Sequence, residues 1–123
     1  MPFAPSVLHE RRHAYLEVHD DAADYSFMTV AAKTTPAGRD SLKAAIHPAD
    51  DTARPHVVRR DQNPDYHAVI SDFERLTGIG AVLNTSLNIH GDPIVRTSDD
   101  ALHVLENTGI DGMIIGKTLI LKK

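Results

Sequence analysis

One stretch leaves the backbone few choices. From Asn63 to Gly80 the order is N-P-D-Y-H-A-V-I-S-D-F-E-R-L-T-G-I-G. Asn63 has the side chain to cap a helix, and Pro64 suits a first helical position, where no amide hydrogen is needed. Tyr66, Val69, Ile70, Phe73 and Leu76 then recur at helical spacing on one face. Gly78 and Gly80 end the run. Ala81–Thr85 follows as a buried strand. A helix with one apolar face, followed by a strand, calls for helix packed on sheet.

The rest of the chain is read against that unit. Pro2–Leu8 is extended, because prolines bias their predecessors that way. Glu10–Val18 is a short helix or an irregular bridge. Asp20, Asp21 and Asp24 form a polar break. Phe27–Ala32 reads as a strand and Thr34–Asp40 as a turn built on Pro36 and Gly38. Ser41–Ile46 is one helical turn, His47–Pro55 a loop, and His56–Arg60 a short strand. After a turn at Asn88–Pro93, Ile94–Val95 resumes extension. Thr97 caps a second helix, with Asp100 in the capping-box position and Ala101, Val104 and Leu105 on its inner face. Gly109 stops it. Met113–Ile115 and Leu119–Leu121 are strands joined through Gly116-Lys117. The fold class is α+β in layers, with a twisted mixed sheet against helices and an irregular first half.

At 123 residues the chain is expected to be one domain, 1–123. Thirteen basic and 17 acidic residues give a net charge of −4, which supplies no general nucleic-acid footprint. No run is long and apolar enough for a membrane span, and no secretory signal is visible. Cysteine is absent, so disulfides and thiol chemistry are excluded and a cytoplasmic location is expected.

Three groups of polar residues are candidates for chemistry. In L-N-T-S-L-N-I-H-G-D-P-I-V, Leu83–Val95, residues Asn84, Ser86 and Asn88 alternate. On an extended backbone all three point one way and offer donors and acceptors to a ligand. Asn and Ser also build ordinary turns, and chemistry alone favours that reading. Second, Arg54, Arg59 and Arg60 are candidate anion clamps. Arg59 and Arg60 should face opposite ways on a strand, and Asp50, Asp51 and Asp61 balance the charge. Third, eight histidines raise the question of metal. His9 and His13 share a helix face and His47 lies near Asp50 and Asp51, yet no recognised metal spacing occurs, so no metal site is expected. His56 lies farther on, His67 reads as a boundary residue, His90 as a turn residue and His103 as a surface helix residue.

Several blocks resemble, in order, the C-terminal region of the NodU/CmcH-type O-carbamoyltransferases. They are P-F-A-P-S-V-L at Pro2–Leu8, D-x-T-A-R at Asp50–Arg54, N-P-x-Y at Asn63–Tyr66, T-G at Thr77–Gly78, the Leu83–Val95 stretch, and D-D-A-L with G-I-D-G-M-I-I-G in the tail. The chain departs at Met1, where the family carries arginine, at Leu87 in place of phenylalanine, and at Asp92 in place of glutamate. Its H-P-A-D-D-T-A-R loop also differs from the usual H-V-D-G-T-A-R.

The resemblance implies a partial YrdC-like fold that lacks the upstream part of the family domain. It implies use of carbamoyl phosphate and ATP, with Mg, to form a carbamoyl-adenylate for O-carbamoylation of a hydroxylated small molecule. Arg54 and Ser86 are then the expected catalytic phosphate contacts. Asn84, Thr85, Asn88, Gly91 and Asp92 are the expected ligand-binding or turn-shaping positions. The expected partner is a Kae1-like N-terminal carbamoyltransferase domain on a separate chain, as in a split enzyme, or a second copy in a homodimer. The alternative is an inactive binding or structural module.

Overall fold

The computed structural model describes residues 3–19 and 23–123. Met1, Pro2, Asp20, Asp21 and Ala22 lie outside them, and with them part of the expected first extended segment and of the acidic break. The chain divides into two compact units, Met1–Thr85 and Ser86–Lys123.

In the first unit, strand β1 (Ala4–Leu8) is the centre of a mixed sheet. It pairs in parallel with β5 (His56–Val58) and antiparallel with β6 (Ala81–Asn84). All five β1 residues are buried, so both faces are covered. Because side chains alternate, Val7 enters one apolar cluster with Tyr15, Leu16, Leu42 and Val57, while Leu8 turns to the other side and meets Val58 and Ile70. Ile70 belongs to helix α3 (Pro64–Thr77), whose bounds and caps match the sequence expectation. Asn63 Oδ1 accepts the Tyr66 amide at 3.2 Å, and Gly78 closes the helix at φ 79°. The expected buried face is corrected: Ile70 is fully buried, but Val69 is 56% and Leu76 81% exposed. The strand after it ends at Asn84 rather than Thr85, and Leu83 is half exposed.

A second sheet replaces the expected irregular first half. It is antiparallel, ordered β2 (Leu16–Glu17), β3 (Ala32–Thr34), β4 (Thr52–Ala53). Three expectations change here. Phe27–Ala32 is mostly turn and bend, because Met28 sits at φ 55° and breaks extension. Thr34–Asp40 is not a turn: Thr35 caps helix α2 (Pro36–Ser41), accepting the Gly38 amide at 3.0 Å, and Pro36 opens it. Gly38 lies inside α2 because a Cβ there would run into the Tyr15 carbonyl. Finally, the His47–Pro55 loop contains β4, closed by the His47 amide donating to the Thr52 carbonyl at 2.7 Å. Helix α1 (Arg12–Tyr15) is a single turn preceded by a 3-10 turn at His9–Arg11. The Tyr15 hydroxyl accepts the Gly80 amide at 3.0 Å, tying α1 to the start of β6.

In the second unit, helix α4 (Ser98–Asn107) has the expected capping box between Thr97 and Asp100 and buries Ala101, Val104 and Leu105. Lys122 Nζ reaches back to the Glu106 and Thr108 carbonyls at 3.2 and 2.7 Å, closing the end of the helix. Strands β7 (Gly112–Ile115) and β8 (Thr118–Leu121) form an antiparallel hairpin, with Gly116 at φ 58° in the tight turn. One hairpin face, Ile114, Leu119 and Leu121, is about two-thirds exposed. Among the described residues there are thus three small sheets with helices, an α+β arrangement, rather than one twisted mixed sheet.

Candidate functional site

β4 leads straight into Arg54, whose exposed side chain opens onto a surface cleft of about 430 Å³. Phe3, Ala31, Ala45 and Ala53 form its apolar part, and His47, Asp50, Thr52 and Arg54 its polar part. Asp50 Oδ1 accepts the Thr52 hydroxyl at 2.7 Å and the Thr52 amide at 3.0 Å, and His47 Nδ1 lies 3.3 Å from the same oxygen. The Thr52 hydroxyl, then the Thr52 amide, then His47 hold the Asp50 carboxyl below the usual carboxylate range.

Arg54 Nη1 donates to the Met28 carbonyl at 3.5 Å. The Met28 sulfur in turn lies 3.6 Å from Asn84 Nδ2. Met28 therefore touches both Arg54 and Asn84, and its left-handed backbone sets where its carbonyl points. Sequence reasoning missed Met28, because the stretch around it was assigned to a strand. Asn84 Nδ2 also donates to Ser6 Oγ at 2.9 Å, and Ser6 Oγ lies 3.3 Å from His56 Nδ1. Ser6 is fully buried. Asn84 and His56 thus meet at one hydroxyl, which can accept from both or accept from Asn84 and donate to His56, according to the His56 tautomer. Burial lowers the His56 pKa. The Ser6 role follows from strand pairing, where Ser6 stands opposite His56 and two pairs along from Asn84, and pairing has no signal in local sequence.

The expectation that Asn84, Ser86 and Asn88 share one face of an extended backbone is corrected. The strand ends at Asn84, and Ser86–Asp92 forms a turn. In it, the Ser86 hydroxyl donates to Asn88 Oδ1 at 2.6 Å, and Asn88 Nδ2 donates to the carbonyls of Ile89 and Asp92 at 3.1 and 3.0 Å. The Asp92 amide donates to Ile89 O at 2.9 Å, so its backbone, rather than its carboxylate, closes the turn. Gly91 sits at φ 93°, where an L side chain is strained. Thr85 and Ser86 are exposed.

The other candidates lie elsewhere. Arg59 makes a two-bond fork to Asp61 at 3.1 and 3.2 Å. His67 pairs with Glu10 at 2.9 Å. Burial opposes the charge on Glu10, but its own backbone amide and His67 outweigh that and lower its pKa. His103 accompanies Asn107 on the exposed side of α4. Among the described residues no three His, Asp or Glu side chains converge as a metal seat would require.

The chain matches the profile of the family "Carbamoyltransferase C-terminus" over residues 1–122. It is 38% identical to an uncharacterized protein of Methanocaldococcus jannaschii over 99% of this chain and 19% of that protein. It is 38% identical to nodulation protein NolNO of Sinorhizobium fredii over 99% of this chain and 18% of the relative. Against the 3'-hydroxymethylcephem-O-carbamoyltransferase of Amycolatopsis lactamdurans it is 36% identical over 63% of this chain and 15% of the relative. The chain spans about a fifth of the length of the first two relatives. With blocks matching along its whole length, the chain belongs to the carbamoyltransferase C-terminus family.

Proposed function

We propose that the chain is a NodU/CmcH-type, YrdC-like component that binds carbamoyl phosphate and ATP for carbamoyl-adenylate formation, and that a Kae1-like N-terminal carbamoyltransferase domain completes the transfer to a hydroxyl acceptor. One observation carries this reading: Arg54 opens onto a cleft with apolar and hydrogen-bonding walls, held among the described residues by a single long bond to a carbonyl. A guanidinium so placed is available to a phosphoryl group and neutralises charge that grows there during adenylation. Asn84, anchored through Ser6 and Met28, is the amide nearest in connectivity to that cleft. Magnesium would arrive on the nucleotide phosphates, since this chain brings no three acidic or histidine side chains together among the described residues.

Titration calorimetry with carbamoyl phosphate and with ATP tests this. Arg54→Ala should weaken binding at least about tenfold, the order of one charge-assisted contact. Binding of neither ligand by the wild-type chain refutes the reading for the chain alone. An adenylate-exchange assay with and without the partner domain then tests turnover. A second reading, a non-catalytic module, draws on the 86–92 turn. There the Ser86 hydrogen and both Asn88 amide hydrogens are already spent on the turn itself.

A further inference from the structure

We propose that His47 distinguishes a carbamoyl phosphate from other acyl phosphates in the Arg54 cleft, by accepting a hydrogen bond from the carbamoyl NH₂; this rests on the reading of that cleft as an acyl-phosphate site. The two side chains line the same cleft but offer opposite chemistry. Arg54 has donors only, so it recognises phosphate oxygens and says nothing about the acyl end.

His47 is fixed at three points. Its amide donates to Thr52 O at 2.7 Å, its carbonyl accepts the Asp51 amide at 3.0 Å, and its ring nitrogen Nδ1 lies 3.3 Å from Asp50 Oδ1. Asp50 cannot turn away, because the same oxygen accepts both the amide and the hydroxyl of Thr52. An ionised carboxylate accepts and never donates, so the contact at Nδ1 calls for a hydrogen there, and the tautomer that places it there leaves the Nε2 lone pair facing outward. Among the described residues no side chain or backbone group is bonded to that Nε2. The cleft thus pairs a donor at Arg54 with an acceptor at His47. Carbamoyl phosphate has the complementary pattern: phosphate oxygens at one end and an amide NH₂ at the other. Acetyl phosphate has nearly the same shape, with a methyl group that offers the acceptor nothing. A site built to accept from a substrate NH rejects the analogue that lacks it, because its own polar group is then left unpaired.

Calorimetry on the 123-residue chain with carbamoyl phosphate, acetyl phosphate and inorganic phosphate decides the matter. The wild type should prefer carbamoyl over acetyl phosphate by about fivefold, the worth of one net hydrogen bond. His47→Phe should erase that preference by weakening carbamoyl phosphate alone, and its unchanged acetyl phosphate affinity shows that the loop is still folded. Asp50→Asn, which frees the tautomer, should narrow the preference. Equal wild-type affinities, or variants that weaken both acyl phosphates alike, overturn the role of His47. Phosphate binding that depends on Arg54 without a carbamoyl preference removes this inference and leaves the functional reading standing. Binding of none of the three removes both.

Discussion

Asn84 and Ser6 are joined across the central sheet by a 2.9 Å hydrogen bond, the half-buried amide on the edge strand donating to a hydroxyl that solvent does not reach. His56 closes the group from the other neighbouring strand. Replacing Ser6 by Ala takes the acceptor from Asn84 and the hydroxyl partner from His56 at once. Ser6→Ala should therefore cost about 1–3 kcal/mol in urea unfolding, the penalty for partners left unmatched. A change near zero would mean that water or repacking supplies the lost bonds.

The same group sets a pH dependence. Burial depresses the His56 pKa below its ordinary value of 6.5, so in that window the unfolded chain binds more protons than the folded one. The stability held by neutral His56 is complete above that value and is lost as pH falls through the depressed folded pKa. Unfolding free energy measured from pH 7.5 to 5 should decline toward acid, and His56→Gln should flatten the slope. A second decline belongs to carboxylates such as Asp100, lowered from 3.8 by the Arg96 amide and by Thr97. Its folded pKa is depressed, so that contribution is present above 3.8 and is lost on further acidification.

Gly38 should resist the usual helix-stabilising replacement. In an exposed helix, Gly→Ala gains about 0.5–1 kcal/mol. Here the added methyl group would meet the Tyr15 backbone carbonyl, which already accepts the Thr35 amide at 3.0 Å. Gly38→Ala should lose about 1–3 kcal/mol as the contact between α1 and α2 is forced open. A raised melting temperature would contradict the close approach.

Helix α3 should show two behaviours along one apolar face. Ile70, fully buried against Leu8 and Val58, should cost about 2–5 kcal/mol when cut to Ala. Leu76, 81% exposed, should tolerate Gln within about 0.5 kcal/mol in the isolated chain. Equal losses at both positions would place an unseen cover over Leu76.

The contrast on α3 marks what the sequence made legible. Periodicity and caps located Pro64–Thr77 to the residue, and the Thr97–Asp100 box located α4, because both signals act within a few residues. Which part of the α3 face is covered depends on what packs there, and spacing carries no such information. Thr35-Pro36 was a helix start in plain view, but Gly38 masked it, since the reason for that glycine is the distant Tyr15 carbonyl. The site divides in the same way. Arg54 was named from its chemistry and the family blocks, and it does open onto a cleft. Its contact with Met28, and the union of Ser6, His56 and Asn84, come from residues 26 to 78 positions apart. The alternation of Asn84, Ser86 and Asn88 failed as a guide because a strand reading assumed extension past residue 84, where the turn begins.

The central place of β1 has a consequence in time. Both of its partners come much later in the chain: Ser6 pairs with His56, and Ala4 with Asn84. On a ribosome adding about 5–20 residues per second, the strand waits several seconds between its own emergence and that of β6. The 86–92 turn needs no such wait, since its bonds close within a handful of residues and form on the microsecond scale of local structure. Contacts of long sequence separation make the central sheet the slow step of folding. An apolar strand held open for that long is also a segment that a nascent-chain chaperone would cover.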